Sequence, residues 1–371
     1  MAASDRFDAQ AASLMMVGFQ GHELPAALSR YVEQGAPAGV ILFRRNIKNT
    51  EQVAGLIRDI RALWPNEGPP PLIAVDQEGG KVRRLRPPEC PEFLDLPEAR
   101  SIARANNPTL TRELGEICAR QLAALGFNVD FAPVLDVDSN PANPVIGARS
   151  FGADAKAVIQ HALAFSEGLS SGGVIPCAKH FPGHGDTDLD SHHALPSLAH
   201  DIERLREVEL APFSAAVEAG IPTMMSAHIV FEALDSEWPA TLSPHIIPKL
   251  LREEIGFDGV VFSDDLEMRA IADHQSAEAI ARQGLAASLD IFLVCHELER
   301  AGEIRRALSE LAQVNEAAAD ALHRASERVA KLRANAHDHA LEPWQGVPLQ
   351  PEATAAIEAL HASLLQDKPG L

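Results

Sequence analysis

The sequence has few aromatic residues and few cysteines for its length. Among 371 residues there are one tyrosine and three tryptophans, and aromatic residues make up 5% of the chain. So few rings argue against a broad platform on which nucleobases would stack. Cys90, Cys118, Cys177 and Cys295 are widely spaced and form no CxxC pair. We therefore expect reduced, mostly buried thiols and a cytoplasmic protein rather than a disulfide framework.

The chain also has fewer basic than acidic residues, and it lacks long apolar runs. It carries 32 Lys and Arg against 52 Asp and Glu, which gives a formal net charge of −20. Such an acidic chain is poorly suited to binding nucleic acid or an anionic membrane. Residues 1–10 are polar and resemble no signal peptide, and no run of about 18 apolar residues could span a bilayer. We expect a soluble protein without nucleic-acid or membrane partners.

Short apolar, β-branched runs alternate with longer segments of helical pattern along the chain. Eight runs have the character of strands, and they lie at residues 14–17, 40–43, 72–75, 129–132, 174–178, 223–227, 260–263 and 291–294. Helical patterns separate them, for example at residues 51–63, 111–125, 154–169 and 277–287. The alternation is typical of βα units with parallel strands. Eight units in about 320 residues favour a single (β/α)8 barrel of the TIM type.

The last part of the chain differs from the rest. We predict a barrel domain over residues 1–335 and a C-terminal tail over residues 336–371. The tail begins with a polar linker rich in His and Pro, and residues 351–366 are predicted to form a short amphipathic helix. We interpret it as an appendage and not as a second domain.

Polar side chains follow six of the predicted strands at their C-terminal ends. They are Arg44 to Asn46, Asp76 to Glu78, Lys179 and His180, His228, Asp264 and Asp265, and His296. Active sites of barrel enzymes form at this end of the strands. Six strands that end in polar or ionisable groups therefore predict one converging site.

The segment KHFPGHGDTDLDSHH, residues 179–193, is the richest of these. It holds four His and three Asp within 15 residues. The pattern suits a metal site, because His and Asp are metal ligands. It also suits an acid/base site in which Asp190 orients His192 two residues later. A solvated polar loop is the third interpretation, although Pro182, Gly183 and Gly185 indicate a defined turn.

Two further segments combine carboxylates with basic side chains. In GVVFSDDLEM, a buried strand leads into Asp264 and Asp265, which cannot both point into the barrel mouth. One is a candidate nucleophile or ligand, and we expect the other to cap the following helix. In DQEGGKVRRL, Asp76 follows a strand directly, and Arg84 comes eight residues later. The Asp76 carboxylate and the Arg84 guanidinium are candidates to line the same loop.

A fourth segment, NPANPVIGARSFG, contains two Asn-Pro pairs that indicate rigid turns. It ends near Arg149, which is a candidate bidentate partner for a ligand oxygen. A surface ion pair is the alternative role for this arginine.

Taken together, these segments resemble the bacterial β-N-acetylglucosaminidases of glycoside hydrolase family 3, the cytoplasmic type used in peptidoglycan recycling. The matching strings are LFRRN, DQEGG-KVRRL, NPVIGARSFG, KHFPGHGDTDLDSHHALP, MSAHIVF and VVFSDDLEM. They follow the family's order across most of the chain. The resemblance implies one (β/α)8 barrel without the additional sandwich domain of the larger β-glucosidases in that family.

The resemblance also implies roles for individual residues. It assigns the nucleophile to Asp264, the acid/base to His192 and the partner of that histidine to Asp190. Sugar-binding roles fall on five residues, which are Asp76, Arg84, Arg149, Lys179 and His180. Lys81 and Ala148 depart from the family's usual residues but carry none of these roles.

The implied activity is release of terminal N-acetylglucosamine, with retention, from GlcNAc-1,6-anhydro-MurNAc peptides. Neither a cofactor nor a metal is expected, and the sequence leaves the oligomeric state open with a monomer as the default. Three other kinds of protein remain as alternatives. They are a β-glucosidase of the same family, a non-catalytic sugar-binding protein, and a metal-dependent hydrolase built on His180, His184, Asp186 and His192. A fourth alternative is that the enzyme transfers the sugar to phosphate instead of water.

Overall fold

Eight parallel strands form the centre of the protein. The computed structural model describes residues 3–65, 68–189 and 195–336. The strands are β1 (Met15–Val17), β2 (Gly39–Ile41), β3 (Leu72–Val75), β4 (Val129–Asp130), β5 (Ile175–Phe181), β6 (Thr223–Ser226), β7 (Val260–Phe262) and β8 (Phe292–Val294). From β1 to β7 each strand is hydrogen-bonded to the next in chain order, and β1 also pairs with β8. A parallel bridge between Phe262 and Ile291 joins β7 to β8 and completes the ring.

Helices surround this ring. Those described are α1 (Ala3–Ser13), α2 (Ala26–Gln34), α3 (Thr50–Arg61), α4 (Ala99–Arg104), α5 (Pro108–Leu125), α6 (Ala155–Ser171), α7 (Ile202–Glu207), α8 (Ala211–Glu218), α9 (Arg269–Ala272), α10 (Ala277–Ala286), α11 (Leu298–Val314) and α12 (Glu316–Asn335). A π-type helix spans Ile246–Glu254, and short 3-10 turns span Arg44–Asn46, Gly147–Arg149 and Ala240–Leu242. Short strand pairs outside the barrel join Gln77–Gly79 to Val82–Arg83 and Ser197–Leu198 to Val230–Phe231.

Polar side chains define where several helices begin. Asn49, Asn107 and Asp154 each accept a hydrogen bond from the backbone N–H three residues later, at the starts of α3, α5 and α6. Ser276 and Asn315 do the same for α10 and α12. Each such cap stabilises its helix by about 1 kcal/mol, because it satisfies a backbone donor that the helix leaves free.

The core lies inside the ring and between the ring and the helices. Phe131 and Phe262 meet edge to face inside the barrel, with ring centroids 5.2 Å apart. The buried carboxylate of Asp290 accepts hydrogen bonds from Arg252 at 2.6 Å, Arg328 at 2.8 Å and the backbone N–H of Val261 at 2.8 Å, and so ties β7 to the outer helices. All four cysteines are buried and free, as the sequence predicts.

The predicted barrel is confirmed, and each of the eight predicted strands overlaps one of the observed strands. The predicted helices at 51–63, 111–125, 154–169 and 277–287 correspond to α3, α5, α6 and α10. The division of the chain after residue 335 stays a prediction, and the predicted helix at 351–366 lies outside the described residues. Within the described ranges, none of the helices has the length and apolar character needed to cross a bilayer.

Candidate active site

A cavity of about 420 Å³ opens at the C-terminal ends of the strands. Its wall contains every predicted site residue that the structure describes, namely Asp76, Arg84, Arg149, Lys179, His180 and Asp264. These residues come from β5 and from the loops that follow β3, β4 and β7, so the ring brings distant segments of the chain together. The predicted acid/base pair, Asp190 and His192, lies outside the described residues.

Along one side of this cavity, basic and acidic side chains alternate and contact one another. The Lys179 ammonium lies 2.9 Å from Asp76 Oδ1 and 2.6 Å from Glu78 Oε1. Arg84 Nη2 donates to Asp76 Oδ2 at 2.9 Å, and Arg149 donates to both oxygens of Glu78 at 2.8 Å. Each of these three cations therefore faces a carboxylate, which fixes its side chain at a defined place in the wall.

The charged forms of these groups are stabilised by one another. Burial by itself would raise the pKa of Asp76 and Glu78, but the neighbouring Lys179, Arg84 and Arg149 outweigh it. They hold the pKa of Glu78 at about 2 and that of Asp76 well below its usual range. Conversely, burial would lower the pKa of Lys179 and Arg149, but the carboxylates raise both above their usual values. Asp76, Glu78, Lys179 and Arg149 are therefore charged at neutral pH.

Asp136 organises the two histidines of the wall. Its Oδ2 lies 2.7 Å from His180 Nδ1, and its Oδ1 accepts the backbone N–H of His180 at 3.2 Å and of His184 at 2.7 Å. Burial would raise the pKa of Asp136, but the His180 imidazole holds it below its usual value. Burial lowers the pKa of His184 to about 4, which leaves that ring neutral at neutral pH. A carboxylate at Nδ1 leaves Nε2 of His180 free to face the cavity, 3.5 Å from Arg149 Nη2.

A bulge in β5 explains how two consecutive residues both reach the cavity. Lys179 pairs with Met225 and Phe181 pairs with Ser226, so His180 is an extra residue in the ladder. Successive side chains of a regular strand point to opposite faces, whereas a bulge turns one of them aside. The cavity wall therefore holds both Lys179 and His180.

The two adjacent aspartates after β7 have different environments. Burial would raise the pKa of Asp264, but the imidazoles of His228 and His180 hold it below its usual value, so this carboxylate is charged. Burial raises the pKa of Asp265 to about 7. Asp265 accepts the N–H groups of Glu267 and Cys295. The expectation that the second aspartate caps the following helix is wrong, because α9 begins at Arg269 with Met268 as its N-cap residue and has no side-chain cap.

Glu78 and Asp136 received no catalytic or binding role from the sequence, although Glu78 was among the polar residues noted at the end of the third predicted strand. Both are buried, and each holds predicted site residues in position. The sequence does contain a signal for Glu78, because it lies two residues after Asp76 and side chains at that spacing share one face of an extended segment. For Asp136, which precedes Arg149 by thirteen residues, we find no local signal of its pairing with His180.

The histidines proposed for a metal-dependent hydrolase are not arranged as one ligand set in the described part of the chain. Two groups there have ligand atoms close enough to share an ion, Asp186 with His200 and Glu209, and Asp265 with Glu267 and His296. Neither includes His180 or His184, whose Nδ1 atoms contact Asp136 and Thr187. The cavity wall is arranged instead as a carboxylate beside a hydrogen-bonding network, which suits a polyhydroxylated ligand.

A comparison with known families decides the class of protein. The sequence profile of the Glycosyl hydrolase family 3 N terminal domain matches residues 7–332. The chain belongs to glycoside hydrolase family 3. This family 3 protein is therefore a glycoside hydrolase, as its sequence motifs indicate.

Individual relatives of this family 3 hydrolase are similar over nearly the whole chain. A β-hexosaminidase of Chromobacterium violaceum is 37% identical over 349 residues, which cover 94% of this chain and 93% of the relative. NagZ from Neisseria gonorrhoeae, solved in complex with N-trifluoroacetyl-D-glucosamine, is 31% identical with a TM-score of 0.78, over 94% of this chain and 97% of that one. A family 3 β-N-acetylglucosaminidase from Paenibacillus sp. is 36% identical with a TM-score of 0.86, over 95% of this chain and 68% of that one.

Proposed function

We propose that this family 3 hydrolase is a retaining exo-β-N-acetylglucosaminidase. The observation that carries the proposal is the convergence of a charged, partly buried Asp264 with five hydrogen-bonding residues around one cavity. The relatives named β-hexosaminidase and β-N-acetylglucosaminidase support N-acetylglucosamine as the sugar. The cavity is of the size that proteins use for small ligands.

The charged network would bind the sugar hydroxyl groups. Hydroxyls both donate and accept hydrogen bonds, and Asp76 offers acceptors beside the donors of Arg84 and Lys179. Arg149 and His180 would bind the other edge of the ring. Because their partners already hold these side chains in place, little conformational entropy is lost when the sugar binds.

Asp264 would act as the nucleophile. It attacks the anomeric carbon as the bond to the leaving oxygen breaks, and His192 transfers a proton to that oxygen. The covalent glycosyl-enzyme is then hydrolysed, with His192 accepting a proton from the attacking water as the bond to Asp264 breaks. Asp190 would hold the imidazole in the correct orientation. An imidazole with a pKa near neutrality can perform both proton transfers.

For the natural substrate we propose GlcNAc-1,6-anhydro-MurNAc peptides in the cytoplasm. Recognition of one terminal sugar agrees with a compact cavity whose described wall contains few aromatic rings. The four buried free thiols agree with a reducing compartment.

A panel of nitrophenyl β-glycosides tests this function. We expect kcat/KM for the N-acetylglucosaminide to exceed that for the glucoside by at least about a hundredfold, as for sites that bind a specific polar group. Proton NMR of the first product should show the β-anomer. A preference for the glucoside would favour the β-glucosidase alternative, whereas an α-anomer would contradict the glycosyl-enzyme. Incubation with the anhydro-muropeptide tests the natural substrate separately.

A further inference from the structure

Asn143, in the loop after β4, contacts two parts of the candidate active site. Its side-chain amide donates hydrogen bonds to the backbone oxygens of His184 at 2.8 Å and Thr187 at 3.0 Å, and lies 3.2 Å from Thr187 Oγ1. His184 and Thr187 belong to the loop after β5, which continues to the proposed acid/base pair. We call the described residues 183–189 the root of this loop.

The carbonyl group of the same side chain holds a sugar-binding residue. Asn143 Oδ1 accepts the backbone N–H of Val145 at 2.9 Å and of Ile146 at 2.7 Å. This turn leads directly into the 3-10 turn Gly147–Arg149, which presents Arg149 to Glu78 and the cavity. One side chain thus connects the segment that carries Arg149 with the root of the loop that carries Asp190 and His192.

The root is packed tightly at the same place. A Cβ atom on Gly185 would lie 1.7 Å from the backbone oxygen of Val137, so only glycine allows the root to approach the loop after β4 so closely. Gly183 has a φ of +140°, a conformation that favours glycine, and it lies against Glu209. Thr187 is fully buried, and its hydroxyl lies 2.8 Å from His184 Nδ1. Asn143 is therefore attached to a part of the loop that is itself fixed.

We propose that Asn143 is a positioning residue for proton transfer, which sets the acid/base loop at the correct place relative to the bound sugar. The inference rests on the proposed function, because it gives His192 the role of acid. Asp190 is only three residues beyond Thr187 in the chain. A shift of the root would therefore displace the acid from the leaving oxygen, while Asp264 and the charged network, held by other contacts, stay in place.

The change Asn143→Asp isolates this role. Aspartate keeps the oxygen that accepts from Val145 and Ile146, so the turn before Arg149 is preserved. It replaces the amide donor by a second oxygen, which the carbonyl oxygens of His184 and Thr187 repel. A matched control is Asn107→Asp, because Asn107 also accepts a backbone N–H through Oδ1, and within the described residues that hydrogen bond is to the start of α5 and not to the root.

The experiment compares kcat/KM for phenyl and 2,4-dinitrophenyl N-acetyl-β-glucosaminides. Only the poor phenoxide leaving group needs the acid, and general acids contribute about 10²- to 10⁴-fold. For Asn143→Asp we expect a loss of about ten- to a hundredfold with the phenyl substrate and at most a few-fold with the dinitrophenyl substrate. Inhibition by free N-acetylglucosamine should stay within about twofold of wild type, since the sugar site is retained. Asn107→Asp should behave as wild type.

Two further variants distinguish a selective loss of proton transfer from a general folding defect. Thr187→Val removes the hydroxyl beside Asn143 and should reproduce the selective loss, whereas Thr187→Ser keeps the hydroxyl and should restore the phenyl rate. Equal losses on both substrates for Asn143→Asp, or no loss at all, would overturn the positioning role.

The variant His192→Ala in the same series separates this inference from the proposed function. If His192→Ala loses the phenyl rate selectively and Asn143→Asp does not, the positioning role is wrong and the acid assignment stands. If His192→Ala shows no selective loss, the assignment of the acid fails, and the role of Asn143 in proton transfer fails with it. If wild type hydrolyses neither substrate, the proposed function itself is contradicted.

Discussion

Glu78 and Arg149 form a bidentate ion pair in which both carboxylate oxygens accept hydrogen bonds of 2.8 Å from the guanidinium. The two residues lie 71 positions apart in the chain and follow neighbouring strands, β3 and β4. Glu78 also contacts Lys179 at 2.6 Å, and its side chain is only 4% exposed. One carboxylate outside the predicted sugar-binding set therefore fixes the positions of two residues within it.

The first prediction concerns the loss of this carboxylate. Glu78→Gln keeps the shape of the side chain but leaves two cations of the buried network without their shared charge. Breaking a buried ion pair on one side costs about 3 kcal/mol or more, so we expect the free energy of unfolding to fall by that amount in urea titrations. With Arg149 and Lys179 less well fixed, KM should rise for activated and poor aryl N-acetylglucosaminides alike.

The control for Glu78→Gln is Glu89→Gln. Glu89 pairs at 2.7 Å with Arg44, whose side chain is 45% exposed. Exposed pairs contribute little to stability because water screens their charges, so this variant should keep wild-type stability and KM. Equal effects of the two substitutions on unfolding free energy and KM would show that burial does not make the Glu78 pair more important than an exposed pair.

The second prediction separates the two adjacent aspartates after β7. Asp264→Asn removes the proposed nucleophile, and turnover of 2,4-dinitrophenyl N-acetylglucosaminide should fall by at least about 10⁴-fold because no glycosyl-enzyme forms. Asp265→Asn should retain much more activity, since that carboxyl group accepts backbone N–H groups instead. Mass spectrometry of the quenched reaction should detect covalently bound sugar on wild type and none on Asp264→Asn. Bound sugar on Asp265→Asn as well would agree with the assignment. Loss of turnover in Asp265→Asn alone would reverse the assignment.

The third prediction concerns pH and the buried carboxyl group of Asp130 at the end of β4. Burial raises its pKa to about 8, and its Oδ2 has no hydrogen-bond partner among the described residues. Between about pH 4 and pH 8 the folded protein keeps a proton on Asp130 that an unfolded chain releases. The free energy of unfolding contributed by this group therefore decreases as pH rises through that window, by up to about 1.4 kcal/mol per unit.

Asp130→Asn removes this titration. As the pH rises from 5 to 8, the unfolding free energy of the variant should increase relative to that of wild type. Urea titrations at each pH measure this difference. A constant difference for Asp130→Asn would mean that the group does not titrate in this window.

The fourth prediction concerns chelators. The proposed reaction uses only side chains, and the Nδ1 atoms of His180 and His184 already have hydrogen-bond partners. Dialysis against EDTA should therefore leave kcat/KM for the nitrophenyl N-acetylglucosaminide unchanged. A loss that zinc or magnesium restores would support the metal-dependent hydrolase instead.

Much of the fold was predictable from local patterns. The alternation of short β-branched runs with helical segments was sufficient to predict the barrel, because hydrophobic residues recur with different periods in strands and in helices. It also predicted which loops meet, since the C-terminal ends of barrel strands lie on one side. Asp76, Arg84, Arg149, Lys179, His180 and Asp264 line one cavity for this reason.

What the sequence by itself determined is the barrel, the end at which the site forms and, through its motifs, the family of the enzyme. Only the tertiary structure decided the pairing inside the site. It joined Glu78 to Arg149, Asp136 to His180 and Asn143 to Thr187, and it gave the second aspartate after β7 a loop contact instead of a helix cap. These contacts connect residues 40 or more positions apart or depend on how a loop bends. Local periodicity carries no information about them, because they form only when the ring closes and brings the loops together.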